Sequence, residues 1–102
     1  IASSIFKIIP DFMKSKQNFS GIYHYAGMPA VSRYEFAKSI ISSAKLTAFI
    51  NIKPCSSKDY ISEATRPKNT IISSKKITST FDVESCKWEK ELKRYFKSYK
   101  IF

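Results

Sequence analysis

The residues with the most chemistry in them are few. Arg66-Pro67-Lys68-Asn69-Thr70 puts a guanidinium, an amide and a hydroxyl within five positions. A guanidinium presents its donors as a planar fork that grips a carboxylate or a phosphate, and Pro67 pushes Arg66 toward an extended backbone. Two readings of this run stay open on the residues alone. In one, Arg66 holds an anionic ligand while Asn69 and Thr70 add hydrogen bonds. In the other, Arg66 pairs with a carboxylate of the chain and Asn69 caps a turn. Tyr34 and Lys38 stand in Tyr-x-x-x-Lys spacing, one helical turn apart. An ammonium so placed favours the phenolate and draws a tyrosine below its reference pKa of about 10, which is proton-transfer chemistry. The same spacing arises readily by chance in a chain rich in Lys and Tyr. His24, the one histidine, lies between two tyrosines and reads as a core residue held by hydrogen bonds rather than as a catalytic one. Asp59 and Glu63 have no evident partner for acid–base work. Cys55 and Cys86 read as two free thiols, because nothing suggests secretion. One histidine and no close Cys/His spacing give a zinc site no support.

Positioning these groups calls for short alternating elements. Ile1, Ile5, Ile8, Ile9 and Phe12 recur at helical spacing, so the opening predicts an amphipathic helix that Pro10 kinks, ends or restarts. Residues 22–26 predict a buried strand bounded by Gly21 and Gly27. Ser32 and Glu35 form a capping box for a helix running to about Lys45. Residues 48–52 predict a second short strand ended by Pro54, residues 55–70 a long polar loop, and Ile71-Ile72 a very short third strand. Ser74 is placed to cap a helix over Lys75–Phe81, and Ser85 to cap the last one. In that last helix Trp88, Leu92, Tyr95, Phe96 and Tyr99 make one apolar core stripe, with Glu89 and Lys93 paired at i, i+4 on the other face. The alternation indicates an α/β protein.

With 102 residues there is room for one domain at most, with a modest core. A hydrophobic content of 43% and an aromatic content of 15% argue against disorder. The net charge of +10 invites a nucleic-acid partner. Yet the cations are scattered and nearly all Lys, with Arg only at 33, 66 and 94, which favours a solvated surface over a phosphate-reading face. The apolar opening is too short and too polar to span a bilayer and has no signal-peptide pattern, so the cytoplasm is expected. An opening on Ile1 inside an apolar pattern leads one to expect further chain upstream.

Taken in order, these pieces resemble the C-terminal part of the dTDP-4-dehydrorhamnose reductase family. The pieces are Gly21-Ile22-Tyr23-His24, Ser32-Arg33-Tyr34-Glu35-Phe36-Ala37, Arg66 to Thr70, Lys75-Lys76, Phe81-Asp82 and Trp88. Three positions depart from the family pattern: Arg33 stands for Trp, Thr70 for Ser, and Asp82 for a helix-ending Gly. The resemblance implies an α/β fold in which residues 1–102 are a single partial domain. That domain is the C-terminal substrate-binding lobe of a Rossmann-like extended short-chain dehydrogenase/reductase whose cofactor-binding part is missing. It implies NADPH or NADH in the complete enzyme, with Mg²⁺ as a candidate metal. It also implies a dTDP-sugar substrate, a missing N-terminal Rossmann half as partner, a homodimer when complete and no membrane association. Arg66, Asn69 and Thr70 become substrate-binding candidates, Arg66 through the diphosphate. The family's catalytic Tyr/Lys pair lies earlier than this segment, so Tyr34 and Lys38 are expected to pack and to be solvated, with no catalytic residue in the chain. With Gly21 and Gly27 as its only glycines, the chain has no phosphate-binding glycine turn. It is expected to hold neither cofactor nor metal by itself.

Two other readings compete. One is a non-catalytic regulatory or binding module of the same fold; the other, weaker, is a basic nucleic-acid-binding domain. Because the strand over 22–26 would belong to the larger domain's sheet, the chain alone is expected to expose apolar surface and to aggregate or partly unfold.

Overall fold

Regular structure among residues 1–99, the part that the computed structural model describes, is helical. The elements are α1 (Ala2–Lys14), α2 (Arg33–Ser43), α3 (Lys75–Phe81) and α4 (Trp88–Tyr99). They fall into two compact units. Ile1–Met28 and Ile71–Cys86 make the first, with α1 and α3; Pro29–Thr70 and the chain from Lys87 onward make the second, with α2 and α4.

In the first unit, α1 continues past Pro10, although proline removes one donor and crowds the carbonyl four residues back, and the helix ends with the Ser15 N–H donating to the Asp11 carbonyl at 3.1 Å. The core is small: Ile77, Phe81 and Val83 are buried, with Ile8, Phe19, Tyr23 and Tyr25 packed around them. Phe81 meets the rings of Phe19 and Tyr23 at 5.0 and 5.3 Å, tilted as aromatic pairs prefer. The expected strand over 22–26 does not form, and no α/β layer is present among the described residues. Side chains take the backbone groups that a sheet partner would use. Ser74 Oγ accepts from the Ala26 N–H at 2.9 Å, and the Lys76 ammonium donates to the Ile22 carbonyl at 2.9 Å. His24 is exposed, so it is not the core residue that its tyrosine neighbours suggested. Ser74 does occupy the cap position of α3, but its hydroxyl makes no capping bond because Ala26 holds it.

Gly21 is required where it stands. Its φ is +147°, and a Cβ there would lie 3.1 Å from Lys76 Nζ, the group that anchors the next residue. Neither of the two helix ends that need a left-handed residue has a glycine. Asp82 (φ +53°) ends α3, its N–H donating to the Thr78 carbonyl, while Thr78 Oγ1 donates to the Val83 carbonyl at 2.8 Å. Lys45 (φ +58°) follows α2 in a Schellman arrangement, with Leu46 N–H on the Ile41 carbonyl and Lys45 N–H on that of Ser42.

In the second unit the capping serine behaves as expected, Ser32 Oγ accepting from the Glu35 N–H at 3.1 Å. Ala44 is buried at the end of α2. The indole of Trp88 packs edge-on to Phe36 at 5.3 Å and donates its N–H to the Pro29 carbonyl at 2.8 Å. The expected strand over 48–52 is replaced by a turn: Phe49 and Ile50 both donate to the Leu46 carbonyl, leaving Phe49 83% exposed. Ile71-Ile72 adds no strand either. The last helix begins at Trp88, on the Lys87 carbonyl, so Ser85 lies too early to cap it. Its stripe is only half covered: Trp88, Leu92 and Phe96 are half-buried, whereas Tyr95 and Tyr99 stack on each other at 4.7 Å in the open. The ion pair on its polar face is Glu91–Arg94 at 3.9 Å, in place of Glu89–Lys93.

Candidate functional site

The loop over residues 53–70 carries the cations Lys53, Lys58, Arg66 and Lys68 against two carboxylates, Asp59 and Glu63. It is organised at its start by a tight turn. The Ser56 hydroxyl donates to Asp59 Oδ2 at 2.7 Å, its N–H donates to the same oxygen at 3.1 Å, and the Asp59 N–H returns to the Ser56 carbonyl at 3.0 Å. The serine hydroxyl first, and its N–H second, hold the Asp59 carboxyl below its ordinary range. Asp59 is thereby committed to its own turn. Further on, Ser62 Oγ donates to the Ala64 carbonyl at 3.2 Å.

Arg66, Asn69 and Thr70 all lie exposed at the end of this loop. The ion pairs within 4 Å among the described residues are Glu35–Lys38 and Glu91–Arg94, so no described carboxylate pairs with Arg66. That leaves its fork of donors facing solvent. Tyr60 and Ile61, which the sequence reading passed over, are also exposed on the loop, Ile61 at 97%. An apolar pair in so polar a segment was the signal that could have singled them out. A shallow cleft of about 220 Å³ opens elsewhere in the same unit, walled by serines of α2 and by Trp88, Glu89, Leu92 and Lys93. It contains none of the loop candidates.

Tyr34 and Lys38 do meet on α2, but by the ring face. Lys38 Nζ lies 5.7 Å from the ring centroid and 3.9 Å from the Glu35 carboxylate, on an exposed helix surface. The carboxylate draws the ammonium charge away from the phenol, an arrangement suited to surface packing. Cys55 and Cys86 are free thiols, as expected.

Nor do the residues suit a dinucleotide. A pyrophosphate needs successive glycines that let backbone N–H groups approach it. Gly21 stands alone, with no glycine beside it, and has Lys76 Nζ 3.1 Å from where a Cβ would lie. Among the described residues no group of His, Cys, Asp and Glu is arranged to hold a metal, and no helix is long and apolar enough to cross a membrane.

Comparison with known proteins decides the relationship. Residues 1–101 match the model of the RmlD substrate binding domain. The chain belongs to that family. A dTDP-4-dehydrorhamnose reductase of Aggregatibacter actinomycetemcomitans is 31% identical over 97 residues, which is 91% of this chain and 33% of the reductase. The chain therefore spans about a third of the length of the curated relative it matches. No solved structure matches it.

Proposed function

We propose that this RmlD-family domain is the substrate-side lobe of a dTDP-4-dehydrorhamnose reductase. The complete enzyme would use NADPH or NADH to reduce the 4-keto group of dTDP-4-dehydro-L-rhamnose, giving dTDP-L-rhamnose. The observation that carries this reading is the family match over almost the whole chain, in step with the ordered motifs. In this reading the loop over residues 53–70 is the substrate-gripping part. Arg66 holds the diphosphate through paired charge-assisted hydrogen bonds, and Asn69 and Thr70 add donors and acceptors. The hydride chemistry, the proton-transfer pair and any Mg²⁺ belong to a cofactor-binding half, and the chain alone neither binds NADPH nor turns over substrate. The complete enzyme works in the cytoplasm as a homodimer.

Calorimetric titration of the chain with dTDP, and separately with NADPH, tests this. Weak saturable dTDP binding that Arg66→Ala reduces by about tenfold, with no NADPH binding, is the expected result. Micromolar NADPH binding overturns it.

A second reading is a non-catalytic module that keeps the family shape for binding alone. A stoichiometric partner that is not a reductase would select it.

A further inference from the structure

Small side chains leave the groove between α2 and α4 open. A packed helix pair ordinarily interlocks large residues, but here α2 offers Ser39, Ser42 and Ser43. The result is the cleft of about 220 Å³, with Trp88 and Leu92 as its apolar wall and Glu89 and Lys93 beside them on α4. Depth sorts these groups. Ser39, Ser43, Trp88 and Leu92 are half-buried, whereas Ser42, Glu89 and Lys93 are exposed at the rim. The three serine hydroxyls have no hydrogen-bond partner among the described residues. Glu89 and Lys93 stand one helical turn apart, yet the ion pairs within 4 Å among the described residues lie elsewhere. Donors and acceptors therefore converge on the cleft uncommitted.

We infer that this cleft is a binding site for a neutral monosaccharide. Size, charge and polarity each narrow the choice. The volume lies below the roughly 300 Å³ at which pockets for drug-sized ligands begin, so a single ring fits and a nucleotide does not. One carboxylate and one ammonium cancel, which disfavours an anion. Polar side chains outnumber apolar ones, which disfavours a hydrocarbon. A sugar ring matches what remains, with C–H groups for Trp88 and Leu92 and hydroxyls that both donate and accept. Glu89 accepts from such hydroxyls, Lys93 donates to them, and the serines do either. Because the cleft contains none of Arg66, Asn69 and Thr70, the inference stands independently of the substrate-lobe reading.

The test is a titration of the chain with D-glucose, followed by amide and indole N–H chemical shifts. Saturable movement of the Ser39, Ser43, Lys93 and Trp88 signals is expected, with a Kd on the order of millimolar for so small a ligand in an open cleft. Glu89→Ala and Lys93→Ala, both at exposed positions, are each expected to weaken binding at least about threefold and to leave the spectrum of α2 intact. Methyl α-D-glucopyranoside separates the two sources of such a ring. Binding as tight as that of glucose assigns the cleft to the end of a glycan, and weaker binding assigns it to a free sugar. Absence of any saturable shift up to about 100 mM overturns the inference. So does an equal response to cyclohexanol, which would make the cleft a plain apolar crevice, or a larger response to sulfate, which would make it an anion site. Binding unchanged in both variants overturns it too, as does movement confined to residues 53–70. Titration with dTDP in the same spectra keeps the two readings apart: a loop over 53–70 that does not respond overturns the substrate-lobe reading and leaves this one standing.

Discussion

The two units of this chain solve the same problem in opposite ways. The first closes a core: Val83 is 1% exposed, Phe81 has two rings against it, and Ser74 and Lys76 at the start of α3 fasten the backbone of residues 22–26. The second has Ala44 as its one buried hydrophobic residue among those described, and it relies on a helix pair pinned by Trp88. The first therefore has stability but leaves a helix face uncovered. The second is a light frame that presents a long exposed loop.

The contrast can be broken most severely at Phe81. Phe81→Ala removes the ring shared by Phe19 and Tyr23 and is expected to cost about 3–5 kcal/mol, enough to unfold the first unit. Methyl and amide spectra should then lose the dispersion of Ile77 and Val83, while those of α2 and α4 persist. Loss of both sets together would show that the units fold as one. At Trp88 the corresponding experiment is milder. Trp88→Phe keeps the contact with Phe36 and deletes the bond to the Pro29 carbonyl, costing about 1 kcal/mol in denaturant titration.

The serines sharpen the comparison further. Ser32→Ala is expected to cost about 1 kcal/mol through α2 alone. Ser74→Ala is expected to cost about 1–2 kcal/mol, because it strands the part-buried Ala26 N–H, and hydrogen exchange at Ala26 should accelerate. If instead the amides at the start of α3 accelerate first, Ser74 is acting as a cap after all. In the opposite direction, Asp82→Gly relieves a left-handed non-glycine residue and should stabilise the first unit by about 0.5 kcal/mol in thermal unfolding. The smallest effect belongs to Asp59. Its carboxyl is held below the ordinary range in the folded turn, so its contribution is present above the unfolded pKa and fades as pH falls through the folded one. An acid titration followed at the Ser56 amide should show the turn loosening only below about pH 4. Loosening near neutrality would mean that another group controls it.

Much of this was legible in the residues. The helices α1, α2 and α4 follow from apolar spacing, and the Ser32 cap from its partner three positions on, since both are local relations. The family too was readable from ordered motifs. The strands were not. Apolar runs at 22–26 and 48–52 have strand composition, but a strand exists only when another strand takes its backbone groups. Here Ser74 and Lys76 take them in the first case and a turn on Leu46 in the second. His24 failed for the same reason, because its burial depended on a sheet that this chain does not form by itself.

The sequence by itself determined which residues are amphipathic, which helix starts are capped, and which loop carries an arginine fork beside Asn69 and Thr70. Those properties are set by side-chain identity and by neighbours within a turn or two. Only the tertiary structure decided that Asp82 and Lys45 end helices in place of glycine and that Lys76 must have Gly21 beside it. It alone decided that α1 spends one edge of its apolar arc on a core and leaves the rest exposed. Each of these depends on atoms brought together from distant parts of the chain, and their proximity is a property of packing that no local pattern encodes.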